Sequence, residues 1–172
     1  QFLQTVVIVG AGPSGCEMAG AVSELMRWAL SDAFKQLDPQ KTRIVLVDPG
    51  DRVLKAMPAE LSETALKALE RDGIEYMPQG RVQTMQPGEV VIGGPNGDVR
   101  VQAATVIWTA GVKASHLGQK LTDATGCEVD RGGRVVVNPD FSIPSHPEIR
   151  IAGDLCSYSH TLNGKPLPCL LY

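Results

Sequence analysis

Apolar positions in this chain follow two periods, one of strands and one of helices. Thr5 to Val9 is an unbroken β-branched run, the mark of a strand covered on both faces as in a parallel sheet. Beyond a glycine-rich stretch, Ala19, Val22, Met26, Ala29, Ala33 and Leu37 recur at three- and four-residue steps. This spacing predicts a long helix that Asp38-Pro39 stops. A second buried strand is expected over Arg43 to Val47, ending at Asp48, with a turn at Pro49-Gly50. Ala59 to Asp72 reads as an amphipathic helix with Leu61, Ala65, Leu66 and Leu69 inward and Gly73 capping its end. Ile74 to Tyr76 follows as a short third strand.

The pattern then changes. Arg81–Met85, Glu89–Ile92 and Val99–Val101 are short strand-like runs split by Pro87-Gly88 and by the stretch Gly93 to Gly97, which predicts an antiparallel meander. Thr105 to Trp108 returns to buried-strand character. After Ala110-Gly111 the chain reads as loop-rich up to a run at Arg134 to Val137, and the last clear strand is Ile149 to Ala152, running into Gly153-Asp154. The order β-α-β-α-β, meander, β implies an α/β fold built on a parallel sheet with right-handed crossovers. A nucleotide-binding domain is expected over residues 5–111, and a loop-rich continuation over 112–172.

Composition removes several alternatives. The chain has 172 residues, 43% hydrophobic and 20% charged, with a formal net charge of −3 and no Lys/Arg-rich run, so nothing points to nucleic acid. No apolar stretch approaches the ~18 residues that span a bilayer. The start, Gln1-Phe2-Leu3-Gln4, lacks Met and a signal-peptide pattern and runs straight into a strand, which reads as a piece of a longer protein. The cysteines, Cys16, Cys127, Cys156 and Cys169, form no C-x-x-C and read as reduced thiols of a cytoplasmic protein. His116, His146 and His160 lack metal-ligand spacing, and no metal site is expected.

The chemistry sits in Gly10-Ala-Gly12-Pro13-Ser14-Gly15, between a predicted strand and a predicted helix. That context makes G-x-G-x-x-G a dinucleotide fingerprint. Gly10 allows the tight turn, Gly12 lets the backbone approach a pyrophosphate, and Gly15 lets helix and strand pack closely. Pro13 suits the first helical turn, where its missing N–H does no harm. The helix start offers N–H groups and a positive dipole end to phosphate. Asp48, ending the second strand, can accept from the adenosine ribose hydroxyls and would repel a 2′-phosphate, favouring NADH over NADPH. It lies roughly thirty residues after Gly15 against the usual ~20, which a long first helix and its connector account for. The expected fold is a Rossmann-like parallel sheet with a small antiparallel β-meander crossover.

Four segments carry a resemblance. Val7 to Glu17 resembles the second dinucleotide motif of the two-dinucleotide-binding-domain flavoproteins, and Leu46 to Leu54 their second strand and following turn. Val106-Ile-Trp-Thr-Ala-Gly-Val-Lys113 and the long first helix resemble the type II, non-proton-pumping NADH:quinone oxidoreductases. Ile149 to Asp154 resembles the flavin-contacting strand end of the whole group. The resemblance implies NADH and FAD as cofactors, with a hydride passing from NADH to FAD and electrons then to a quinone. It places Glu17 near the nicotinamide, brings Thr109, Ala110 and Gly111 toward the bound dinucleotide, and sets Gly153 and Asp154 against the FAD ribityl chain in the whole protein. It further implies a parent at the cytoplasmic face of a membrane and admits a homodimer. Only one G-x-G-x-x-G is present where the family uses two, so the isolated chain is expected to be inactive. Another reductase of the same group, or a module that senses NADH without transferring hydride, remains open on the residues alone.

Overall fold

The computed structural model describes residues 2–29, 33, 34, 38 and 41–159. The chain divides into two compact units, Gln1–Gly111 and Val112–Tyr172.

The first unit is built on a four-stranded parallel sheet. Its strands are β1 (Thr5–Val9), β2 (Arg43–Asp48), β3 (Ile74–Pro78) and β7 (Thr105–Trp108), in the order β3-β2-β1-β7. Helices α1 (Pro13–Glu24) and α2 (Ala59–Arg71) connect along one face. There Val6, Ile8, Ile44 and Leu46 pack with Ala19 and Leu69. The chain between β3 and β7 is a meander of β4 (Arg81–Gln86), β5 (Glu89–Gly94) and β6 (Gly97–Gln102). Its Val90, Ile92 and Val101 cover Val7, Val9, Val45 and Val47 on the opposite face. Cover on both sides is why β1 is buried at every position, and why a β-branched run without polar alternation forms it.

Some expectations change here. β7 is an edge strand rather than a buried one: Trp108 is 55% exposed, and of its four residues only Ile107 reaches a core cluster. In α2, Leu61 points outward and Ser62 is buried in its place. The α-helical part of α1 ends at Glu24 and continues as a π-helical turn, Leu25–Ala29. The expected remainder toward Leu37 lies largely outside the described residues. Gly73 does follow the end of α2 with φ +71°, a left-handed conformation that suits glycine.

The second unit has its own small core of Cys127, Val135, Ile143, Ile151 and Cys156. It contains α3 (Leu117–Thr125), which pattern reading missed, and short strands β8 (Val135–Val136), β9 (Ser142–Ile143), β10 (His146–Arg150) and β11 (Cys156–Ser157). The strand expected over Ile149 to Ala152 is displaced: β10 pairs antiparallel with β9 and ends at Arg150. Gly153–Leu155 forms a single 3-10 turn. His160 and Cys169 lie outside the described residues.

Candidate functional site

The carboxyl ends of β1, β2 and β7 meet at the start of α1, and each fingerprint glycine meets a different demand there. Gly10 has φ +107°, and a side chain on it would press on Thr109 and Ala110. A Cβ on Gly15 would fall on the carbonyl oxygen of Gly10, so the close approach of α1 to β1 depends on its absence. Gly12 differs: it begins α1 in extended conformation, and a Cβ on it would meet nothing within 4 Å. Of the three, only Gly12 has an ordinary φ and open space beside it. Pro13 occupies the first turn, and Ser14 and Glu17 are exposed on the same end of the helix.

Asp48 ties this turn to β2. Its Oδ2 accepts from the Ala11 N–H at 2.7 Å, and its Oδ1 accepts from the Gly50 N–H at 2.7 Å. The Ala11 carbonyl in turn accepts from the Leu54 N–H at 2.8 Å and from the Cys16 thiol at 3.5 Å. Ala11 is therefore gripped at both of its backbone polar groups. An ionised carboxylate offers about four lone-pair positions, so two acceptor sites on Asp48 remain. Burial, then the Asp48 and Glu17 carboxylates, push the Cys16 thiol up to about 11. The Tyr76 hydroxyl is also buried, and it has no hydrogen-bond partner among the described residues. Burial, followed by the charges of Asp48, Cys16 and Asp51, pushes it up to about 12.

The segment after β7 closes the third side. The Thr109 N–H donates to the Val9 carbonyl at 2.9 Å, and its hydroxyl donates to Val9 at 2.8 Å and Gly10 at 3.2 Å. The Trp108 indole N–H donates to the Ala110 carbonyl at 2.9 Å, which pins the loop, and Gly111 ends it at φ +73°. The structure thus brings Gly10, Gly12, Pro13, Ser14, Gly15, Glu17, Asp48, Thr109, Ala110 and Gly111 to one end of one sheet. Gly153, at φ +73°, and the exposed Asp154 lie in the second unit. No cluster of His, Cys, Asp and Glu able to hold a metal occurs among the described residues.

Sequence reading missed the support beneath the turn. The Arg52 guanidinium donates to the carbonyls of Met57 (3.0 Å) and Lys55 (3.1 Å) and to the Ser62 hydroxyl (2.8 Å), while Ser62 donates to the Val53 carbonyl at 2.7 Å. This network sets the loop whose Leu54 N–H holds Ala11. Ser62 stands three residues before Ala65 and seven before Leu69, on the inward face of α2. Its spacing was the available signal, and its polarity hid it.

Comparisons with known proteins agree with this geometry. Type II NADH:quinone oxidoreductase Ndh of Mycobacterium tuberculosis is 38% identical over 156 residues, which is 90% of this chain and 34% of that protein. NdhA of the same organism is 37% identical over 153 residues, 88% of this chain and 33% of the relative. The chain therefore spans about a third of the length of these relatives. NDH2 of Plasmodium falciparum, solved in complex with NADH, superposes with a TM-score of 0.75 at 16% identity, over 92% of this chain and 33% of that one, a likeness of fold. A family profile for pyridine nucleotide-disulphide oxidoreductases matches residues 1–166, and with the glycine turn, the meander crossover and the strand order it establishes that the chain belongs to the pyridine nucleotide-disulphide oxidoreductase family.

Proposed function

We propose that this chain is the NADH-binding portion of a type II NADH:quinone oxidoreductase of a respiratory chain. In this reading residues 5–111 form the NAD(H)-binding domain, and 112–172 continue toward an FAD-binding domain. The observation that carries it is the contrast within the glycine turn. Gly10 and Gly15 are closed in by neighbouring atoms, whereas Gly12 opens onto free space at a helix start, with Asp48 bonded to the adjoining Ala11.

In this arrangement the pyrophosphate lies against Gly12, Pro13 and Ser14, where the N–H groups and dipole of α1 favour negative charge. The remaining acceptor sites of Asp48 take the ribose hydroxyls, and its charge opposes a 2′-phosphate. Thr109 and Trp108 hold the segment Ala110-Gly111 over the turn, and Glu17 lies farther along the same helix toward the nicotinamide. For FAD, Gly153 has open space around its Cα and Asp154 is an exposed acceptor suited to the ribityl hydroxyls. When bound, the flavin supplies hydride acceptance and onward electron transfer to a quinone. Among the described residues no helix is long and apolar enough to cross a membrane. The whole protein is proposed to attach peripherally to the cytoplasmic face of one, and to do so as a homodimer.

Calorimetric titration of the chain with NADH and NADPH, beside an absorbance scan through the flavin band, tests this reading. NADH should bind at least about tenfold more tightly than NADPH, a difference of ~1.4 kcal/mol. The purified chain should be colourless, because one charge-assisted hydrogen bond at Asp154 contributes about 1.5–3 kcal/mol while micromolar retention needs about 8. Equal affinities, or a preference for NADPH, would overturn the assignment of the ribose site.

A further inference from the structure

The second unit contains a recess of about 270 Å³ whose lining includes none of the site residues assigned above. Lys113, Ser115 and His116 line one wall with Gln119 of α3, and Arg131 with Gly132-Gly133 lines the other. The walls are fastened to each other. The Ala114 N–H donates to the Gly132 carbonyl at 3.0 Å, and Gly118 lies so close to the Gly133 carbonyl that a Cβ there would strike it. The turn carrying Arg131 is set by Asp130, whose Oδ1 accepts from the N–H groups of Gly132 (2.8 Å) and Arg134 (3.0 Å). Its Oδ2 accepts from the Arg134 guanidinium at 2.8 Å. Burial raises the Asp130 carboxyl, and the donors of Arg134 and Gly132 outweigh it and hold the group below its usual range.

The charge balance of the recess is one-sided. Among the described residues, Lys113, His116 and Arg131 make no ion pair and no side-chain hydrogen bond, although the chain as a whole carries a net charge of −3. The Asp130 carboxylate is held by its own turn and by Arg134, and Asp123 accepts from the Gln119 amide at 2.9 Å. The Ser115 hydroxyl oxygen accepts from the Leu117 N–H at 3.3 Å, which leaves its proton free to be donated. A planar fork, a compact ammonium, a hydroxyl and an imidazole therefore border one concave space whose lining residues include no carboxylate. Concave sites lined by one sign of charge concentrate the opposite ion. Arginine matches the paired oxygens of phosphate in a bidentate manner, and lysine adds a point charge. A phosphate group brings three acceptor oxygens and up to two negative charges, a closer match to two fixed cations than the single charge of a carboxylate, and the recess is larger than a bare phosphate.

We propose that this recess binds a phosphate group carried on a small organic body, held by Lys113, His116, Arg131 and Ser115. The group arrives either on a soluble phosphate ester or on the headgroup of an anionic phospholipid. The site is independent of the nucleotide reading, since it lies within the second unit and uses none of the residues of the glycine turn.

The test is residue-resolved amide chemical shifts of the full chain at constant ionic strength, using inorganic phosphate, glycerol phosphate, vesicles of phosphatidylglycerol and vesicles of phosphatidylcholine. Saturable shifts at His116, Gly132 and Gly133 are expected with glycerol phosphate or with phosphatidylglycerol. The exposed double variant Lys113→Gln/Arg131→Gln should weaken them by about tenfold while leaving NADH-induced shifts at Gly12 unchanged. A response to soluble esters alone assigns the first source, and a response to phosphatidylglycerol alone assigns the second. Absence of saturable shifts with every probe, or shifts that survive the double variant, overturns the site. An equal response to phosphatidylcholine overturns it as well, because a zwitterionic surface does not need these cations.

Discussion

Replacing Gly12 and Gly15 by alanine, one at a time, separates the binding role of the glycine turn from its packing role. At Gly12 the backbone has φ −73° and ψ −176°, which any residue adopts, and an added Cβ meets nothing within 4 Å. Alanine is a poorer helix N-cap by about 0.5–1 kcal/mol. It also restricts the unfolded chain, which returns about 0.4–1 kcal/mol. The melting midpoint of Gly12→Ala should therefore stay within about 2–4 °C of the parent. At Gly15 the Cβ falls on the Gly10 carbonyl oxygen, which belongs to backbone and cannot rotate aside. Forcing α1 away from β1 costs about 1–3 kcal/mol or more, against a helix-propensity gain of about 1. Gly15→Ala should melt lower, by ~2–4 °C for each net kcal/mol. Calorimetry with NADH then gives the opposite ranking of sites. Gly12→Ala loses about tenfold or more, since its methyl group occupies the space a pyrophosphate needs. Parent-like NADH binding by Gly12→Ala would refute the reasoning, because the open space would not be the phosphate site. A parent-like midpoint for Gly15→Ala would refute the packing half.

Asp48→Ala leaves the N–H groups of Ala11 and Gly50 without their acceptor. Ala11 is 2% exposed, so the variant should lose about 1–3 kcal/mol in urea unfolding as well as narrowing the NADH preference. A variant that kept full stability would show those bonds to be dispensable. For Cys16, burial first and the neighbouring carboxylates second hold the thiol protonated, up to about 11 from an ordinary 9.0. Iodoacetamide should therefore label it slowly in the folded chain near neutral pH and rapidly in urea. Because the folded value is the higher one, its contribution to stability is full below the ordinary value and lost as pH rises through the folded one. Fast labelling of the native chain near neutral pH would contradict the burial.

Most of the first unit could be read from the sequence because its constraints fall on residue identity. β1 and β2 are buried on both faces, so both lack polar alternation, while the meander is punctuated by turn residues at Pro87-Gly88 and Gly93 to Gly97. The errors have a common source, since a pattern records apolarity and not what lies opposite. Thr105 to Trp108 is as apolar as β2, yet it ends the sheet, and Trp108 remains largely exposed. In α2 the inward face includes Ser62 because its hydroxyl satisfies the Val53 carbonyl and the Arg52 guanidinium, whereas Leu61 lies outside. The short helix α3 passed for loop because Gly118 weakens its first turn. The same glycine is required by the close Gly133 carbonyl, and Gly126, at φ +69°, was the C-terminal signal available.

The candidate site shows the same division in sharper form. Gly10 and Gly15 were legible because steric exclusion appears directly as a missing side chain, and Gly12, which no protein atom crowds, was legible from its place in the motif. Asp48 was legible as an acid ending β2. Its bonds to Ala11 and Gly50 were not, because the donors are backbone groups that every residue carries. Those bonds change what the residue does. A glutamate here would place its carboxylate about 1.5 Å farther along the side chain, nearer to an incoming ribose and away from the N–H of Ala11. Aspartate is short enough to hold the turn before any nucleotide arrives, and it still keeps about half of its lone-pair positions for a diol. In the proposed reading, pre-organisation of the phosphate turn and recognition of the ribose therefore rest on one carboxylate. Loss of Asp48 should accordingly weaken NADH and NADPH together, in addition to bringing their affinities closer.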